Sequence, residues 1–83
     1  MKSVRYTAEA ASDLRRHRSI AKRIMGKVDR YAETGAGDVT RLVGSEAKRL
    51  RDGDFRIVFV ETEAEVLVTR IGPRGAIYAR GNS

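Results

Sequence analysis

The dipeptide Asp52-Gly53 sits between two alternating runs, Lys48-Arg49-Leu50-Arg51 and Asp54-Phe55-Arg56-Ile57-Val58-Phe59-Val60. A type I′ turn needs positive φ at both central residues, so an Asp-Gly pair flanked in this way is the strongest short-range sign of a β-hairpin. If these two residues form the loop, pairing sets Arg51 opposite Asp54, Leu50 opposite Phe55, Arg49 opposite Arg56 and Lys48 opposite Ile57. Opposite residues share a face. One face then carries Leu50, Phe55, Ile57 and Phe59, which is a core. The other carries Arg49, Arg51 and Arg56, with Asp54 to offset them as a salt-bridge partner of Arg51. Like charges directly opposite one another cost on the order of 0.2–1 kcal/mol. Two explanations stand: a wet face on which solvent screens the repulsion, or an anion such as phosphate, which the guanidinium fork matches in shape. On the second, Arg56→Ala abolishes function while leaving the melting temperature unchanged or raised.

Around this hairpin the chain reads as one domain over residues 1–83, of α+β class. Ser3-Val4-Arg5-Tyr6-Thr7 alternates and predicts an N-terminal strand. Thr7 is an N-cap by type, followed by a helix to about His17 with Ala8, Ala11 and Leu14 on its apolar side. Ser19 caps a second helix whose stripe is Ile20, Ala21, Ile24, Met25, Val28, Tyr31 and Ala32, ended by Gly35. The two form an antiparallel helical hairpin with its connection around Arg18. Residues 35–38 are a loop, and Val39 to Gly44 lead out of it without clear periodicity. Val66 to Ile71 is a strand apolar on both sides, hence central, and Gly72-Pro73 stops it. The expected architecture is strand, two-helix hairpin, then an antiparallel three-stranded meander, with both helices packed on one face and the arginine face left open.

The chain has no cysteine and one histidine, which excludes disulfides and Cys/His zinc sites. No metal site or cofactor is expected, and no glycine-rich phosphate loop, H-E-x-x-H or G-x-S-x-G pattern is present. No apolar run reaches bilayer length and the N-terminus lacks a signal-peptide core, so no membrane association and a cytoplasmic location are expected. Seventeen Lys+Arg against eleven Asp+Glu give a net charge of +6, which suits a polyanionic partner. Arg15, Arg16, Arg18, Lys22, Arg23, Lys27 and Arg30 form a basic helical surface, either a solvated face or an RNA contact. His17 ends a helix, where a positive group is ordinary, and Tyr6 and Tyr31 lie at periodic core positions. Asp52 is a turn residue by type.

Leu42-x-Gly44, Arg49-Leu50-Arg51-x-Gly53-Asp54-Phe55-Arg56-Ile57-Val58-Phe59, Val68, Ile71-Gly72-x-Arg74 and Tyr78 together resemble the RelE/ParE toxin superfamily. The likeness is detailed in the C-terminal half and covers the N-terminal half only in element order. It implies the RelE-like microbial RNase fold and a toxin of a type II toxin–antitoxin system, neutralised by a cognate antitoxin. RelE-like members cut mRNA on the ribosome without a metal, by attack of the ribose 2′-hydroxyl on the adjacent phosphate; ParE-like members poison DNA gyrase. The Arg-x-x-x-Tyr ending is closer to the RelE type. Carried over by position, Arg56 and Arg74 contact the scissile phosphate and Tyr78 stacks on a base or assists proton transfer. Arg49 and Arg51 complete the catalytic set, while Lys48 and Arg80 are RNA-binding, with contacts to 16S rRNA possible. Arg49 and Ala47 stand where RelE has lysines. Arginine stays charged at any relevant pH, so the proton acceptor is left among Tyr78, Lys48 and the substrate phosphate. A gyrase inhibitor and a non-catalytic basic module that grips RNA or protein are the alternatives.

Overall fold

The computed structural model describes residues 2–73; Arg74, Tyr78 and Arg80 lie outside them. The elements are β1 (Ser3–Tyr6), α1 (Ala8–Arg16), α2 (Arg18–Thr34), β2 (Asp38–Arg41), β3 (Lys48–Asp52), β4 (Phe55–Glu61) and β5 (Glu65–Pro73). They build a five-stranded sheet in the order β1-β5-β4-β3-β2, with β1 parallel to β5 and every other pair antiparallel. The expected α+β fold is present, and β2 extends the meander to four strands.

Thr7 caps α1, its hydroxyl oxygen accepting from the Ala10 amide at 3.2 Å. One residue, His17 (φ −121°, ψ 53°), separates the helices and is the cap shared by both, so Ser19 lies inside the first turn of α2 instead of capping it. Gly35 ends α2 at φ 75°, its amide donating to the Tyr31 carbonyl at 2.8 Å. The α2 stripe buries Ile24, Val28 and Ala32 against Leu50, Ile57, Phe59, Val66, Val68 and Ile71, with Ala10 of α1 in the same core.

β5 holds the sheet together. Val58 pairs with Arg70 but Phe59 pairs with Val68, so Thr69 is an extra residue on β5. That bulge puts Ile71 on the same side as Val68 although the two are three residues apart. Thr69 is anchored on both edges: its hydroxyl donates to the Val58 carbonyl at 3.2 Å and its carbonyl accepts from the Thr7 hydroxyl at 3.1 Å. β1 stops pairing at Tyr6, opposite Val68, and α1 takes over the edge beyond it. There the buried Asp13 accepts from the Ile71 amide at 2.9 Å and from the Arg70 Nε at 3.0 Å. A carboxylate fixed by a backbone amide and a guanidinium satisfies the requirement that a buried charge be paired.

The 48–60 hairpin forms with its loop displaced by one residue. Asp52 pairs with Phe55, Arg51 with Arg56, Leu50 with Ile57, Arg49 with Val58 and Lys48 with Phe59, so Gly53 and Asp54 make the loop. Gly53 has φ 59° and no other residue of the loop has positive φ, as in a type II′ turn instead of the expected I′. Moving the loop by one residue slides the register by two. Every side chain therefore keeps its expected face while its partner changes.

Candidate functional site: the arginine rows of the outer face

Both helices cover the face of Leu50, Ile57 and Phe59. On the opposite face, alternation along β2 to β5 sets out two cross-strand rows: Asp38, Arg51, Arg56 and Gly72, and beside it Thr40, Arg49, Val58 and Arg70. Neighbouring strands are about 4.8 Å apart, so Arg49, Arg51 and Arg56 form one cationic patch. Two corrections concern their partners. Arg56 faces Arg51, not Arg49, and Arg51 makes no salt bridge to Asp54, which is exposed in the loop beyond the last pair.

The three arginines differ in setting. Arg51 is exposed and Arg49 half-buried. Arg56 is only 5% exposed, and its Nη1 donates to the Gly53 carbonyl at 2.9 Å and the Phe55 carbonyl at 3.0 Å. Arg56 thus ties the hairpin loop together, with its guanidinium almost wholly withdrawn from solvent. Arg70 is turned to Asp13.

Lys48 is not among the outward-facing cations. It lies on the helix side, where its ammonium donates to Glu61 Oε1 at 2.8 Å. The same carboxylate accepts from the Tyr31 hydroxyl at 2.6 Å and from Lys2 Nζ at 2.6 Å. Burial by itself would raise the Glu61 pKa. The hydrogen bonds from Lys2, Lys48 and Tyr31, with the Lys48 charge, outweigh it and hold the carboxyl at about 2. Burial, together with the Glu61 hydrogen bond and charge, pushes the Tyr31 phenol up to about 12. Tyr6 is raised to about 12 by burial and by the charge of Asp29. Both tyrosines are part of the packed side, as expected of their spacing.

Asp52, expected in the turn, closes β3 and accepts from Arg23 Nε of α2 at 2.9 Å. His17 lies edge-on to Phe55, ring centroids 4.9 Å apart, which brings the helix junction against the hairpin despite their separation in sequence. The residues that sequence reasoning missed are Asp13, Asp38 and Glu61. Asp13 carried a signal, an acid three residues from the core residue Ala10 on one helical face. Glu61, assigned to a turn, and Asp38, assigned to a loop, carried none.

No family model matches the sequence, and no curated protein matches it. Solved structures do. A chain of the RelB–RelE antitoxin–toxin complex of Methanococcus jannaschii superposes with a TM-score of 0.72 at 20% identity, covering 92% of this chain and 96% of that one. A chain of the archaeal RelE–RelB complex of Pyrococcus horikoshii gives 0.73 at 19% identity, covering 89% and 96%. YafQ of Escherichia coli gives 0.67 at 15% identity, covering 94% and 99%. The resemblance carried by the hairpin residues is thus matched across nearly the whole length of the chain, and at these identities what is shared is architecture: the chain has the fold of the RelE and YafQ toxins.

Proposed function

We propose that the protein is the toxin of a type II toxin–antitoxin system and an endoribonuclease that cuts mRNA on the ribosome. The observation that carries this reading is the pair Arg51 and Arg56, directly opposite each other with Arg49 alongside, on a sheet face that neither helix covers. In a fold shared with toxins solved in antitoxin complexes, two guanidiniums set directly opposite each other across neighbouring strands fit a phosphodiester better than a solvated surface does. Cleavage follows the metal-independent route that the resemblance implies. The ribose 2′-oxygen attacks the adjacent phosphorus, the arginines stabilise the charge gathering on the non-bridging oxygens, and the 5′-oxygen leaves with a proton. In this reading Arg74 adds a further phosphate contact, Tyr78 assists that proton transfer and Arg80 extends the grip on RNA. The partner is an antitoxin whose acidic or amphipathic segment covers the cationic surface, and the site of action is the cytoplasm.

A translation extract tests it. Addition of the protein is expected to leave truncated mRNA on stalled ribosomes, and Arg51→Ala to remove that effect while the protein stays folded. Double-strand breaks in the presence of gyrase would instead establish a ParE-like activity. Inhibition with intact mRNA and intact DNA would leave a basic binding module.

A further inference from the structure

The endoribonuclease reading needs a group to accept the 2′-hydroxyl proton, and the arginines cannot serve because guanidinium does not deprotonate in proteins. Among the described residues the other candidates are mostly engaged. Lys48 and Glu61 hold each other on the helix side. Asp13 is buried against Arg70 and the Ile71 amide. Glu65 lies at the far end of the outer face, with Arg5 at 3.5 Å. Asp54 sits in the hairpin loop, outside the ladder that would fix it.

Asp38 differs from all of these. It pairs with Arg51 at the β2 end of the row that continues through Arg56. Its side chain is exposed and makes no hydrogen bond or ion pair among the described residues. Its position is set by the residue before it. Gly37 has φ 146°, and a Cβ there would lie 2.7 Å from Leu50 Cδ1. Only glycine lets the chain enter β2 so close to the buried Leu50, and that entry fixes Val39 opposite Leu50 and Asp38 opposite Arg51.

We infer that Asp38 is the general base of the cleavage, an inference that rests on the endoribonuclease reading. With strands about 4.8 Å apart, a phosphate held by the exposed Arg51 leaves its ribose on the β2 side, within reach of the Asp38 carboxylate, which lies directly across from that arginine. The carboxylate takes the 2′-hydroxyl proton as the 2′-oxygen bonds to phosphorus. The bond from phosphorus to the 5′-oxygen breaks, and that oxygen takes a proton from solvent. The products are a 2′,3′-cyclic phosphate and a 5′-hydroxyl, and the protonated Asp38 returns its proton to solvent.

Single-turnover cleavage of mRNA on programmed ribosomes, with ribosome binding and thermal melting measured alongside, tests this with Asp38→Asn, Asp38→Glu and the control Asp54→Asn. Asp38→Asn is expected to slow cleavage by about 100-fold or more with ribosome binding and melting unchanged. Asp38→Glu, which keeps the carboxylate, recovers part of the rate, and Asp54→Asn cleaves as wild type. Cleavage by Asp38→Asn at the wild-type rate overturns the inference and leaves the endoribonuclease reading intact. So does a loss that tracks weaker ribosome binding, or one found in Asp54→Asn instead. A wild-type protein that leaves mRNA whole removes the reading and the inference together.

Discussion

Because Arg56 is 5% exposed and donates to the Gly53 and Phe55 carbonyls, its removal leaves two acceptors at the hairpin loop without their donor and a gap where the side chain lay. A hydrogen bond from a charged donor contributes about 1.5–3 kcal/mol. Arg56→Ala is therefore expected to lower the unfolding free energy by roughly that amount, a reversal of the neutral or stabilising effect expected when Arg56 was placed on an open face. Arg51 lies across from it, exposed and without an ion pair among the described residues. Arg51→Ala relieves like-charge repulsion and should leave stability unchanged or raise it by about 0.2–1 kcal/mol. Urea titrations of the two variants check this. Equal losses for both would mean that Arg51 is structurally held as well, and its use as a clean probe of activity would end.

At the scale of elements, what was legible followed from periodicity and turn chemistry. The α2 stripe, the Thr7 cap, the Gly35 stop and the face assignment of every residue in the β3–β4 hairpin could all be read, because each depends on residues close together in the chain. The loop position could not: Asp52-Gly53 and Gly53-Asp54 give the same faces, and what accompanies the observed one is a contact between distant segments, Asp52 accepting from Arg23 of α2. β2 escaped for a similar reason. Its four residues are exposed except for the half-buried Val39, so no alternation of apolar residues marks it, and it exists because the chain passes Gly37 against Leu50. The arginine site was legible as a face, and its acidic end at Asp38 was lost with β2. This dependence on two glycines is testable. Gly53→Ala puts a side chain at φ 59° with open space around it and should cost about 1–2 kcal/mol of backbone strain. Gly37→Ala adds a clash with Leu50, which is 1% exposed and has little room to yield, so it should cost more. Hydrogen exchange distinguishes the two, with Gly37→Ala losing protection across β2 and β3 and Gly53→Ala losing it at the hairpin tip. Equal, uniform loss in both would remove Gly37 from its role in setting the register.

Across the whole molecule, four stretches far apart in sequence meet at one carboxylate: Lys2 ahead of β1, Tyr31 of α2, Lys48 of β3 and Glu61 of β4. Tyr31 also stacks at a tilt on Phe59, centroids 5.1 Å apart, which ties the polar cluster to the core. The cluster closes the corner where the first strand, the long helix and the hairpin converge. Its contribution depends on charge, and the pH at which it fades follows from the direction of the shift. The Glu61 carboxyl ionises at about 2 in the fold against an ordinary 4.5. A lowered folded value means that the unfolded chain binds the proton more readily, so the stabilisation is complete above about 4.5 and is lost as the pH falls toward about 2. Other carboxylates titrate over the same range, so the informative quantity is the difference from Glu61→Gln, which keeps the shape and a hydrogen-bonding oxygen but not the charge. The variant should be less stable than wild type at neutral pH, with two ammonium groups left facing a neutral amide. The gap should narrow steadily as the pH drops from about 4.5 toward about 2. Chemical denaturation of both proteins at a series of pH values measures it. A gap that persists unchanged through that range would assign the cluster's contribution to packing and hydrogen bonding, not to the Glu61 charge.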